Sequence, residues 1–231
     1  MAKQARAITT RENIVQAGAR LFAQKHYESV RMAELLTEAG TTQGGFYFHF
    51  PDGKKTVAEE IIARQDGRFA ELRDTAIADT SLDGLNALIT FLRTIVSEIE
   101  NNVVMRAGLR LVIQASEHFP EVAHMPHASW NDAIEAALKK AEAEGSLRPG
   151  VDTTVAARGL ILLFIGAQTS SFINDQWQSM TSLADTLVDF LRTSIAAPRF
   201  TPDAQDLSHH RLQDAGEREE DTIGRAGAER R

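Results

Sequence analysis

The stretch "AGTTQGGFYFHFPDGKK", residues 39–55, holds three glycines, then four aromatic rings and a histidine, then a fourth glycine and two lysines. A buried helix has little use for glycine beside aromatic rings, since glycine weakens a helix and adds nothing to a core. Gly40 falls where the preceding apolar pattern stops, the place of a C-cap. Thr41 or Thr42 then offers an N-cap for a short helix reaching about His49. Pro51-Asp52-Gly53 is a turn, and Lys54 to roughly Asp79 reads as one long helix.

Working outward, apolar residues recur at three and four almost throughout, the period of helices. From Thr10, Ile14, Val15, Ala17, Gly18, Leu21 and Phe22 mark a first helix ending near "KHYES". A second follows, with Ser29 as N-cap and Met32, Leu35 and Leu36 on one face. Beyond the long helix, patterns cover about Ser81–Asn101, Arg106–Phe119, Ala128–Glu144, Thr153–Asp175 and Gln178–Ala196. After Pro198 the chain turns polar and charge-rich, so residues 199–231 are expected to be a disordered tail. The fold class predicted is all-α.

Composition narrows the function. The chain has 231 residues and no cysteine, which excludes disulfides, thiolate metal sites and thiol catalysis. Net charge is −7, yet residues 1–25 carry five basic side chains against one acidic. That imbalance, with Lys3, Arg6 and Arg11 in a basic arm, points to a polyanion met at one end. "MAKQARAITTREN" does not read as a signal peptide, and the apolar run Gly159–Ala167 is too short to span a bilayer. A cytoplasmic protein with no membrane partner is the expectation.

Two short helices joined by a glycine turn, with an amphipathic helix before them, make a helix-turn-helix unit. The second helix of such a unit enters the DNA major groove N-terminus first. Thr41, Thr42 and Gln43 then supply short hydrogen-bonding groups at the helix start, and Gly44 and Gly45 let the backbone approach closely. Tyr47 and His49 reach phosphates, and Lys54 and Lys55 hold a flanking phosphate. Arg31 and Phe46 complete the DNA-facing set. Phe48 and Phe50 are expected to anchor the unit to the first and fourth helices.

Residues 10–55, with their G-x-x-x-G-x-F-Y-x-H-F core, resemble the DNA-binding domain of the TetR-type bacterial repressors. The resemblance implies a helix-turn-helix domain over residues 1–53 and a helical ligand-binding and dimerisation domain over 54–198, with 54–79 as linking helix. Within that family, "FYFHF" and the tryptophan in "PHASWNDAIEAALKKAEAEGSLRPGVD" look most like the γ-butyrolactone autoregulator receptors of actinobacteria. Two departures stand out. Gln43 occupies a position where the family commonly has lysine, and the loop after Phe50 is about one residue longer, leaving Lys54 and Lys55 as alternatives for the phosphate-binding lysine.

Trp130 has two readings, a core residue or one wall of an apolar ligand pocket. The resemblance favours the wall, because the receptors' matching tryptophan lines their cavity. Gln65 and Gln168 are candidate hydrogen-bonders there, with Phe91, Val112, Phe164 and Ile165 as apolar lining. The helices over 153–175 and 178–196 are apolar on more than one face, which suits a bundle formed between two subunits. His118, His124 and His127 do not match a metal-site spacing, and Ser116-Glu117-His118 reads as loop. No nucleophile elbow, phosphate loop or H-E-x-x-H appears, so neither catalytic residues nor metal nor cofactor are expected.

The function these readings support is a homodimeric repressor on a pseudo-palindromic double-stranded DNA operator. A small apolar effector, a γ-butyrolactone-like signal controlling secondary metabolism, would release it. The alternatives are an efflux or antibiotic-responsive regulator of the same fold and, more remotely, a small helical enzyme.

Overall fold

Asn102 alone separates two helices: its backbone N–H closes the first by donating to Glu98, and its side-chain oxygen caps the second by accepting from Val104 at 3.0 Å. Such economical punctuation recurs through a computed structural model that describes residues 2–122 and 127–198. The element order is α1 (Ala2–Gln24), α2 (Met32–Ala39), α3 (Gln43–His49), α4 (Lys54–Ala78), α5 (Gly84–Asn101), α6 (Val103–Ala115), α7 (His127–Ala143), α8 (Thr153–Asp175) and α9 (Met180–Ser194). Short 3-10 turns lie at Tyr27–Ser29 and Ser116–His118. Among the described residues no strand forms; Leu147 and Ala196 make one isolated antiparallel bridge.

The boundaries follow capping chemistry. Asp83 accepts from the backbone N–H of Leu85 and Asn86, so α5 starts at Gly84 rather than near Ser81. Val103 and Val104 sit inside α6, which therefore begins three residues before the expected Arg106. Ser29 does not cap α2. It ends a 3-10 turn, and Arg31 holds the N-cap position, its N–H donating to Glu34 at 3.5 Å. The first helix begins at Ala2, so the expected basic arm is helical. The expected tail, 199–231, lies outside the described residues.

Three apolar clusters position the functional surfaces. One joins α1–α3 and the start of α4 to the α6 side chains Val104, Ala107 and Leu111. Gly18 permits this approach, since a Cβ there would stand 2.7 Å from Val57. The second unites the later part of α4 with α5, α6 and the corner between α8 and α9, through Phe69, Phe91, Leu109, Phe172 and Trp177. The third packs the start of α5 on α7, α8 and α9.

Helix α8 amends one expectation. Its short apolar run is part of a 23-residue helix long and apolar enough, by length and composition, to cross a membrane. Val155, Leu162, Leu163 and Ile173 on α8, with Phe190 on α9, are exposed.

Candidate nucleic-acid interface and ligand cavity

The short helix α3 presents one edge to solvent and buries the other. Gly40, at φ 61°, ends α2, and its N–H donates to Leu36 and Thr37. Thr42 then caps α3, its hydroxyl accepting from the Gly45 N–H at 3.2 Å. A Cβ on Gly45 would stand 2.8 Å from Thr41 Oγ1, so glycine is what lets both threonines pack there. Gly44 faces open space. Thr42, Gln43, Gly44, Tyr47 and Phe48 are exposed, while Thr41 and His49 are half-buried.

Phe46 and Phe50 are wholly buried, whereas Phe48 is 79% exposed. This reverses two expectations: Phe46 is withdrawn from any groove contact, and Phe48 is no anchor. The reason is helical period, since residues four apart share a face and the one between them points away. Phe48 is thus the surface residue that the sequence reading missed; a period of 3.6, applied across 46–50, would have found it.

The two lysines separate as clearly. Lys54 Nζ donates to the carbonyls of Tyr27 at 2.8 Å, Val30 at 3.1 Å and Glu28 at 3.5 Å. Burial lowers its pKa, with Glu28 opposing. Lys55 is exposed, with Glu59 at 3.7 Å. Arg31 is exposed at the N-cap of α2. Arg11 is not a free arm cation: it pairs with Glu60 and lies over the Phe50 ring.

Above this unit, α4 continues into the wall of a cavity of about 380 Å³. Gln65, Phe91, Val112, Trp130, Phe164, Ile165 and Gln168 all line it. Trp130 stands between Phe69, ring centroids 5.8 Å apart, and Phe91, at 5.6 Å. Its two readings therefore merge: it is packed against the core and it walls the cavity. Gln65 and Gln168 are 6% and 3% exposed, and no protein group hydrogen-bonds their amides among the described residues. Asp66 and Thr169 add polar lining that the sequence did not single out. Burial pushes the Asp66 carboxyl up, with Arg73 pulling the other way. Leu187 also faces the cavity.

Gly108 was likewise missed. A Cβ there would meet Gln65 Cβ at 2.5 Å, so glycine lets α6 close on α4 behind the cavity. Nothing in sequence marks that approach.

Of the three histidines, His118 alone has a described side chain. His118 Nε2 is 3.3 Å from Glu28, and its ring lies 5.2 Å from that of Tyr27. His124 lies outside the described residues, as does the side chain of His127. Among the described residues no cluster suited to a metal ion occurs.

Comparison with known proteins follows the same division. Residues 14–61 match the family described as bacterial regulatory proteins, tetR family. Residues 80–195 match the tetracyclin repressor-like C-terminal domain. The chain is 32% identical over 171 residues to the A-factor receptor protein of Streptomyces griseus, an alignment covering 74% of this chain and 58% of that protein. It is 27% identical to the regulator LmrA of Bacillus subtilis, covering 70% of this chain and 89% of that one. A structure solved for the control of antibiotic production by bacterial hormones superposes with TM-score 0.71 at 27% identity, covering 82% of this chain and 99% of that one. CprB of S. coelicolor A3(2) also gives 0.71, at 25% identity, covering 84% and 91%. With one match on the DNA-facing unit and the other on the helices around the cavity, the chain belongs to the TetR family of bacterial regulatory proteins.

Proposed function

We propose that the protein is a cytoplasmic, homodimeric transcriptional repressor that leaves its operator when a small, mostly apolar ligand enters the cavity. One observation carries this reading: α4 belongs to both sites. Its first residue, Lys54, is tied to the helix-turn-helix unit, and Gln65 and Phe69 on the same helix line the cavity. Ten residues of helix separate Lys55 from Gln65, about 15 Å. A ligand that tilts α4 at Gln65 therefore moves its DNA-proximal end.

In this reading residues 1–53 hold the DNA, through Thr42, Gln43, Gly44, Tyr47 and Phe48, with Arg31 beside them and Lys55 added from the start of α4. Residues 54–198 bind the ligand and dimerise. The exposed apolar side chains of α8 and α9 suit a bundle with a second copy, which also accounts for the hydropathy of α8 without a membrane. Two recognition helices on a two-fold axis read a pseudo-palindrome with half-sites about one helical turn apart, or a multiple of it. Similarity to the A-factor receptor supports a γ-butyrolactone-like ligand. Two unpartnered glutamines in an apolar cavity suit that chemistry: a lactone carbonyl and a hydroxyl beside an alkyl chain. The match to the bacterial regulatory proteins of the tetR family supports a regulator and not an enzyme.

The test is a duplex selected from random DNA by the purified chain, followed by a binding assay with synthetic γ-butyrolactones of graded chain length. Selection of a palindrome, and its release by one lactone, is the expected result. A folded chain that selects no duplex overturns the proposal. Selection without release by any lactone overturns the ligand class alone.

A further inference from the structure

Arg110, on α6, is 8% exposed, and no carboxylate pairs with it among the described residues. Its acceptors come from three places. Nη1 donates to the carbonyl of Ala23 in the last turn of α1 at 3.1 Å, and to Gln176 Oε1 at 3.1 Å. Nε donates to Gln114 on its own helix at 2.9 Å, and the guanidinium lies 5.3 Å from the Phe172 ring centroid. A buried cation held by neutral acceptors is a demanding arrangement, since each broken bond leaves a desolvated charge less satisfied.

Both ends of the link are informative. Helix α1 has no basic residue in its last turn, and a cation at a helix C-terminus satisfies the orphan carbonyls and the negative end of the dipole. Arg110 supplies that charge from another part of the fold. At the far end, Gln176 and Trp177 form the corner between α8 and α9, with φ of 58° and 69°. Two successive non-glycine residues in the left-handed region are strained and persist only when their surroundings over-determine them. Trp177 is buried against Phe172, ring centroids 4.6 Å apart, and Gln176 donates to the Phe172 carbonyl at 3.0 Å while accepting from Arg110.

We infer that Arg110 is a positioning residue for operator recognition, pinning the DNA-facing unit at the end of α1 directly to the α8–α9 corner and so fixing the separation of the two recognition helices in the dimer. The inference rests on the proposed function and extends it. If α8 and α9 form the two-fold interface, their corner is the nearest part of each subunit to a fixed frame. A pin from that corner to α1 then sets where each recognition helix stands. Arg110 is also flanked on α6 by Leu109, Val112 and Ile113, all of which line the cavity. A ligand that shifts α6 therefore acts on the pin itself, in parallel with α4.

The test uses the full chain and the duplex selected by the wild type, with companion duplexes whose half-sites are moved together or apart by one and two base pairs. Wild type is expected to prefer the selected spacing sharply. Arg110→Gln is expected to lose about tenfold of that preference, equivalent to about 1.4 kcal/mol, while remaining dimeric. Arg110→Lys, which keeps the charge with fewer directed donors, should fall between them. Gln176→Ala, which cuts the link from the other end without touching α6, should reproduce the loss; it also carries the test if Arg110→Gln fails to fold. Uniform weakening on every spacing, or an unchanged preference in folded variants, overturns the pin. A wild type that selects no duplex removes the proposed function and the pin with it, a result distinct from either.

Discussion

The ammonium of Lys54 donates to the Tyr27 carbonyl at 2.8 Å and stands 4.4 Å from the ring centroid of the same residue. One side chain thereby ties the start of α4 to the turn that leads into the helix-turn-helix unit. Lys55, its neighbour, has no such engagement and stands out in solvent beside Glu59.

The two lysines are therefore expected to behave differently. Lys55→Ala should weaken binding to all duplexes together and reduce the slope of log K against log salt by about one. Lys54→Met should lower thermal stability, because three carbonyls lose their donor, by about 1–3 kcal/mol. Isothermal binding at several salt concentrations, beside thermal denaturation, separates them. Identical salt slopes and stabilities in the two variants would contradict the assignment.

Phenylalanines two apart should also part company. Phe46→Ala opens a cavity in the core and should cost about 3–5 kcal/mol. Phe48→Ala should leave the melting temperature nearly unchanged and reduce discrimination at one base pair, as loss of an apolar contact to a thymine methyl does. Gln43→Ala should likewise relax preference at one position by about 1–3 kcal/mol. Competition against single-substituted duplexes reads both effects.

Around the cavity, Trp130→Ala should retain operator binding and abolish release by the lactone that frees the wild type. Linkage demands the reciprocal effect in the wild type: operator must weaken lactone binding by the same factor that lactone weakens operator binding. Gly108→Ala should be more damaging than its size suggests, because its Cβ meets the Cβ of Gln65 and helix α4 must give way. A Gly108→Ala protein with wild-type stability and wild-type lactone affinity would refute the close-packed wall.

The α1–α4 seam is held by ions and has a pH signature. Arg64 pairs with Glu12 at 2.8 Å and Glu60 at 2.7 Å. The Glu12 carboxyl lies below its usual range, through the Gln16 amide first and then Arg64, against the opposing effect of burial. A lowered carboxylate pKa gives stability that is present above the unfolded value, near 4.3, and is lost as pH falls through the folded value. Arg64→Gln should thus cost up to about 1 kcal/mol at pH 7, the scale of a partly exposed pair. That difference should shrink as the pH is lowered past about 4. Denaturant titrations at pH 7 and pH 3.5 test it; a difference that persists at the lower pH would overturn it.

Much of this protein was legible in its sequence because the signals are local. The caps and breakers at Gly40, at Thr41 or Thr42, and at Pro51 and the period of 3.6 marked the helices, and α8 fell where the pattern placed it, at Thr153–Asp175. The Thr-Thr-Gln-Gly-Gly start of α3 needs only its neighbours to be understood, since each residue acts within one turn of helix. Where the reading slipped, two equivalent local choices competed. Ser29 and Arg31 both precede an apolar face, and Phe46, Phe48 and Phe50 share one composition. Only the fold could decide what depends on residues far apart in the chain. Gln65, Trp130 and Gln168 face one cavity because α4, α7 and α8 surround it, and no spacing in sequence encodes that convergence. Lys54 is held by carbonyls 24 to 27 residues away, Gly108 is small for the sake of Gln65, and Arg110 spans 87 residues to Ala23 and 66 to Gln176. Local hydrogen bonding and periodicity fix elements, whereas the burial of a charge or the room for a Cβ is set by whichever helix packs against it, and that is decided in three dimensions.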